Sequence, residues 1–229
     1  IERGLRILDT EGLSRIIVVT GYKSEGLMAH VDSLGLSTPV VYVHNSEYEN
    51  TSNLYSLSLA EEYLKEDDTL VIESDIVYER AVVERMLDSD EECLTFVSKP
   101  KPWMDGSIVT LDKDGYINDF IGADNFAFQN MDSYYKTVSM YKLSKEYLNK
   151  VYLPLLVAYV KAWGNKTHYE SALKVVAFKE QRVLKALVLE NEKWYEINDI
   201  QDIDIAESIF AEGDEKLTRY MKRFGGYWR

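Results

Sequence analysis

The residues equipped for chemistry in this chain gather at the ends of apolar runs. The run TLVIES, residues 69–74, delivers Asp75 directly after it. Such a run reads as a strand buried on both faces, and in open parallel sheets ligands bind outside the carboxyl ends of the strands. A carboxylate there can hold Mg2+ against phosphate oxygens. The plainer reading is that Asp75 caps a helix starting near Tyr78. A second strand end, WYEIND, brings Glu196, Asn198 and Asp199 to a helix start. Glu196 and Asn198 alternate with Tyr195 and Ile197, so they share one face, either solvent or a site. Asp199 followed by Asp202 is close to a capping box. A third place is NTSNLYSL, where Asn50, Ser52 and Asn53 stand at a helix N-terminus. Amide and hydroxyl groups there suit a ribose, base or phosphate, or simply cap the helix. Tyr169 beside Glu170, with Trp103 and Trp163 near other element ends, offers aromatic faces and a carboxylate to an alkylammonium group. Ordinary packing plus a solvated acid explains the same residues. Lys136, in YKTVS, could pair with a phosphate or lie exposed on its strand.

The elements that must position these groups follow from periodicity. RIIVVTGY (residues 15–22), PVVYVHN (39–45) and TLVIES read as strands, with helical patterns at GLMAHVDSL and NLYSLSLAEEYL (53–64) between them. Strand, helix, strand, helix, strand predicts βαβ units and a mainly parallel sheet. Residues 1–8 space their apolar side chains as a helix. SIVTLDKDGYINDF is two strands joined at Asp114-Gly115, a hairpin signal. YKTVSMYKL is a further strand. SKEYLNKVYLPLLVAYVKAW and HYESALKVVAF are helices, the first kinked at Pro154. VLKALVLE and KWYEIN are strands, and DIQDIDIAESIF is a helix with Ile200, Ile203, Ala206 and Ile209 or Phe210 on its apolar face. The expected class is α/β, a Rossmann-like three-layer α/β/α arrangement with a mixed, mainly parallel sheet. Residues 1–211 form the main domain, and 212–229 a last helix and a GGYWR tail that reads as a joint to something further.

Composition narrows the options. A chain of 229 residues, 46% hydrophobic and 28% charged, is expected to fold as one large globular domain. Its formal net charge of -13 opposes binding to long nucleic acid, whose affinity comes largely from phosphate neutralisation. The same acids can serve as ligands for a metal that accompanies a single nucleotide. Three His and one Cys give no zinc spacing. Gly21 and Gly26 flank a short loop without a phosphate-loop pattern, and no Ser-His-Asp order stands out. No apolar run is long enough for a membrane, and no signal peptide is expected. The single Cys93 cannot form an internal disulfide, so the expected home is the cytoplasm.

Taken in order, YENTSNLYSL, LVIESDIVYE, HYESAL and WYEINDIQDIDIAE resemble the choline-phosphate and 2-aminoethylphosphonate cytidylyltransferases. These are relatives of the sugar-1-phosphate nucleotidyltransferases. The resemblance runs from IIVVTGY to DIAESIF and implies a sheet sandwiched by helices, with CTP and acceptor meeting above the strand ends. It implies attack by a phosphate or phosphonate oxygen on the α-phosphorus of CTP, loss of pyrophosphate, and assistance from Mg2+. By this resemblance Asp75 is a metal-binding and catalytic residue, and Asn50, Ser52 and Asn53 lie near the nucleotide. Tyr169 and Glu170 face a cationic acceptor; Lys136 is put forward for the acceptor's phosphate by its residue type alone, apart from the resemblance. Two departures stand out. The family's opening strand, Gly-rich loop and Lys have no counterpart here, so the chain is expected to lack that segment. The family's second metal-binding Asp, in YEID, is Asn198 in this chain. Either Asp199 substitutes, or the amide weakens metal binding, or the residue was changed deliberately to trap a complex. The GGYWR tail resembles the joint to a PLP-dependent aminotransferase in fusions of such domains, and a homodimer is a further expectation. The competing readings are a sugar-1-phosphate nucleotidyltransferase and a degenerate nucleotide-binding domain without catalysis.

Overall fold

The computed structural model describes residues 1–101, 106–180 and 182–210; Trp103 and the expected terminal element at 212–229 lie outside them. Helix α1 (Glu2–Leu8) leads into strand β1 (Ile16–Thr20), helix α2 (Ser24–Ser33) and strand β2 (Val40–His44). The β-branched IIVVT run pairs in parallel with β2, from Ile16 opposite Val40 to Thr20 opposite His44. Leu5, Ile16, Val18 and Val31 close the small core beneath this unit. Asn45, just past β2 and buried, donates to Thr51 and Ser56 and accepts from the Glu47 amide, which shapes the loop before the next helix.

The loop delivers helices α3 (Asn53–Leu59) and α4 (Glu61–Leu64), then strands β3 (Thr69–Ile72) and β4 (Ile76–Tyr78), helix α5 (Arg80–Leu87) and strand β5 (Cys93–Ser98). Strands β6 (Ile108–Leu111), β7 (Ile117–Ile121) and the ten-residue β8 (Tyr134–Leu143) follow. Helices α6 (Lys145–Tyr147), α7 (Leu153–Trp163) and α8 (Tyr169–Lys179), strands β9 (Lys185–Val188) and β10 (Trp194–Glu196), and helix α9 (Ile200–Phe210) complete the described chain. The main sheet has the order β7-β6-β8-β5-β9. One edge of β8 pairs with β5, and the other pairs with β6 near its start and β3 near its end.

Alternation along β8 divides the core between the two faces of the sheet. Tyr141 packs with Leu54, Leu156, Tyr169 and Leu173, from α3, α7 and α8. Val138 and Met140 pack with Val82, Val83 and Met86, from α5. Helices on both faces make the expected three layers, and β8 reads as a near-continuous buried run because neither face meets water.

Three expectations are corrected. Among the described residues, parallel pairing is confined to β1–β2 and β5–β9; β3, β5 and β6 all run antiparallel to β8. The parallel expectation rested on the opening alternation of strand and helix, whereas β8 follows a hairpin and enters the sheet centre in the opposite sense. The helix predicted over 53–64 divides at the buried Ala60, whose φ of -89° and ψ of 9° leave the helical region. Pro154 sits in the first turn of α7, where a missing N–H is tolerated. The irregularity precedes it, as a π-helical turn over Leu148–Tyr152.

Candidate active site

Strand β3 ends at Ile72, and the next three residues turn into β4. A bulge in β8 fixes that turn. Opposite β5 the register slips between Thr95 and Val97, and Ser139 takes a left-handed φ of 55°. Its carbonyl accepts the Glu73 N–H at 3.3 Å. Bulges commonly re-aim side chains beside functional sites. Two residues on, the Asp75 carbonyl accepts the Ile197 N–H at 2.9 Å, which extends the β4–β10 ribbon. Asp75 therefore does not cap a helix. It leads into β4, and α5 begins after Glu79 without a side-chain cap.

Lys136 comes up through the sheet from β8. It is almost fully buried, donates to Glu196 at 2.5 Å and to the Thr137 carbonyl at 3.2 Å, and lies over the Trp194 ring. Gly106 covers it. A Cβ at that position would come within 2.5 Å of Lys136 Nζ, and the φ of 114° is itself one that side chains avoid, so only glycine fits. Glu196 ends β10, and its charge and that of Lys136 both act on Asp75.

The first turn of α8 brings Tyr169 and Glu170 to the same place, and Lys136 and Glu196 both act on the Glu170 carboxylate. The Tyr169 ring is buried edge-on against Tyr141 at 5.6 Å. Its hydroxyl lies beside the Glu73 and Glu170 carboxylates, yet neither it nor the Tyr141 hydroxyl meets a partner in good hydrogen-bond geometry. Asn53, the first residue of α3, donates to Glu73 at 3.0 Å and accepts the Tyr169 N–H at 3.1 Å.

The result is four mutually interacting carboxylates, Glu73, Asp75, Glu170 and Glu196, with one buried ammonium that pairs with Glu196 and acts on Asp75 and Glu170. Burial, then the neighbouring Glu170 and Asp75, push the Glu73 carboxyl up to about 7. Burial also raises the Asp75 and Glu170 carboxyls from their ordinary values. Desolvation and like charges both disfavour ionisation, and such perturbed groups gather at sites that bind cations or do chemistry. One oxygen of Asp75, Oδ1, is buried with no partner. That orphan acceptor fits a metal ligand. Among the described residues no group of three or more His, Cys, Asp or Glu forms a metal cage. One or two carboxylates with an open acceptor are what an Mg2+ ion takes from a protein when phosphates and water complete its shell.

The structure thus brings Asp75, Lys136, Tyr169, Glu170 and Asn53 together. Ser52 is carried alongside Asn53 as the residue before α3, but its side chain makes no cap bond; its N–H donates to the Asn165 carbonyl at 2.7 Å. Asn50 is exposed on a 3-10 turn. Asn198 is exposed just beyond β10, and its N–H is held by Asp202 at 2.8 Å. Asp199 is the N-cap of α9, accepting from the Gln201 and Asp202 amides. Glu73 and Gly106 were not singled out from the sequence. Glu73 could have been found, since it stands two residues before Asp75 in VIESD.

No protein-family model matches the chain. The structure superposes on the inositol-1-phosphate CTP transferase of T. maritima with a TM-score of 0.68, at 18% identity over 93% of this chain and 83% of that one. It superposes on the CTP:phosphocholine cytidylyltransferase of Streptococcus pneumoniae with a TM-score of 0.67, at 18% identity over 91% and 83%. The chain has the nucleotidyltransferase fold. Its sequence is also similar to the CMP-5'-(3-aminopropyl)phosphonate synthase of Streptomyces rubellomurinus, 26% identical over 220 residues. That match covers 95% of this chain but 35% of the relative, so the chain spans about a third of that protein. The likeness to cytidylyltransferases drawn from its motifs therefore stands. Among the described residues, no helix is long and apolar enough to cross a membrane.

Proposed function

We propose that this domain transfers CMP from CTP to a small phosphate or phosphonate acceptor with a cationic head group, of the phosphocholine or 2-aminoethylphosphonate type. The observation that carries this reading is the half-buried cluster of Glu73, Asp75, Glu170 and Glu196 around Lys136. A site so rich in raised carboxylates favours a cationic ligand group, and the one buried ammonium gives an anionic group its counter-charge.

In this reading an acceptor oxygen attacks the α-phosphorus of CTP, and the bond to pyrophosphate breaks. Glu170 and Tyr169 hold the acceptor's cationic end, while Lys136 turns from Glu196 towards its phosphate or phosphonate. Asn50 and Ser52 lie on the nucleotide side. Asp75, with Asn198 as a weaker neutral ligand, would hold Mg2+, which when bound offsets the charge of the triphosphate. The protein's share is positioning and charge neutralisation. A cytoplasmic setting, pairing as a homodimer and attachment to an aminotransferase domain belong to the same proposal. The match to about a third of a longer relative supports a multidomain context.

Pyrophosphate release by the full protein with CTP and Mg2+ tests the reading. Phosphocholine or 2-aminoethylphosphonate should support turnover, and glucose-1-phosphate should be poorer. Preference for the sugar phosphate, or no turnover with any acceptor, overturns it.

A further inference from the structure

Asn53 reads from the sequence as a nucleotide contact, but both ends of its amide are already engaged within the protein. Nδ2 donates to Glu73 Oε1 at 3.0 Å, and Oδ1 accepts the Tyr169 N–H at 3.1 Å. The amide orientation follows from chemistry, because the N–H of Tyr169 needs an oxygen and the Glu73 carboxylate needs a donor. Tyr169 opens α8, where the first amides have no partner within the helix, and the residue before it, His168, supplies no side-chain cap. Asn53 thus caps α8 from another helix. The Tyr169 carbonyl, in the next peptide unit, accepts from the Tyr152 hydroxyl at 3.3 Å, and Tyr152 is the buried last residue of the π-helical turn. The Ser52–Asn165 backbone bond ties the same helix start to the loop ahead of α8.

We infer that Asn53 is a positioning residue for the acceptor site and makes no nucleotide contact. It locks the Glu73 carboxylate to the first turn of α8, and so sets Glu73 and Glu170 relative to each other. The inference rests on the proposed function for what the two acids bind, but the tie itself does not. Asparagine is suited to the task because one planar group serves a carboxylate and an amide at once. Aspartate would keep the cap on α8 and repel Glu73; alanine would lose both contacts.

The test compares Asn53→Ala and Asn53→Asp in the full protein by steady-state kinetics, melting, and amide hydrogen exchange of the first turn of α8. In both variants the acceptor KM should rise about tenfold or more while the CTP KM stays within about twofold, since a misplaced binding group costs the ligand it positions. Both variants should keep a cooperative melting transition above the assay temperature, and the unmoved CTP KM separates positioning from folding, because a general loss of structure would move both constants. Exchange at residues 169–172 should speed up in Asn53→Ala and stay slow in Asn53→Asp. A raised CTP KM with unchanged acceptor KM overturns the inference in favour of a nucleotide contact. Unchanged exchange in Asn53→Ala overturns it whatever the kinetics. Absence of CTP turnover by the wild type would count against the proposed function alone, with the exchange result still deciding the tie.

Discussion

The two ends of β8 are both crowded with acids, yet they are built in opposite ways. Near its start, the buried Lys136 pairs with Glu196 and acts on Asp75 and Glu170, with Glu73 beside these acids, and burial pushes up Glu73, Asp75 and Glu170. Roughly 20 Å away, at six residues of strand rise, Lys142 reaches the Ser89 carbonyl beside an exposed network. There Arg182 pairs with Asp114 at 2.9 Å, Lys185 approaches Glu91 at 3.8 Å, and Glu146 pairs with Lys150 at 2.6 Å. Hydrogen bonding to Lys150 lowers the Glu146 carboxyl, and the Tyr116 amide lowers Asp112. Acid content alone therefore does not distinguish a site. What distinguishes it is the number of carboxylates that burial leaves without adequate partners.

The contrast can be broken most sharply at Asp75. In the full protein, Asp75→Asn should lower kcat/KM by about a hundredfold or more, the usual scale for charge lost beside a reacting phosphate. Asp114→Asn, at the far end, should leave steady-state turnover unchanged. Comparable losses in the two variants would erase the distinction between the two ends of β8.

Stability offers a second contrast, with opposite sign. The folded pKa of Glu73 lies above its unfolded value, so ionisation costs the folded state stability. That cost is absent below the unfolded pKa of about 4.3, grows as pH rises towards about 7, and is full above it. Glu73→Gln should therefore stabilise the protein by about 2 kcal/mol at pH 8, with the gain vanishing near pH 4. Glu146→Gln should bring no such gain, because that carboxylate is held low by its partner. Melting curves of both variants at the two pH values decide the matter.

Smaller effects sharpen the assignment of the neighbouring strand end. Asn198→Asp should raise Mg2+-dependent CTP turnover about tenfold if residue 198 touches the ion, since an amide is the poorer ligand. Asp199→Ala should cost about 1 kcal/mol of stability through the lost cap on α9, with turnover per folded molecule preserved. If turnover falls instead at unchanged stability, the second ligand is Asp199.

The sequence by itself determined the elements whose signals are local. Runs such as IIVVT and TLVI, the Asp-Gly hairpin and the Asp199–Asp202 cap each carry their own chemistry within a few residues. It also placed Asp75, Lys136, Tyr169 and Glu170 at element ends. Only the tertiary structure decided which of them meet. Glu73 looked like one more strand residue until the Ser139 bulge aimed it at α8, and Asn53 stood at a helix start with no partner in view until Tyr169 and Glu73 engaged both ends of its amide. The sense of β8 was likewise hidden, because a strand buried on both faces has the same apolar pattern in either direction. Contacts between residues 20 to 116 positions apart leave no period in the sequence, and at this site such contacts fix the charge and direction of Lys136, Glu73 and Asn53.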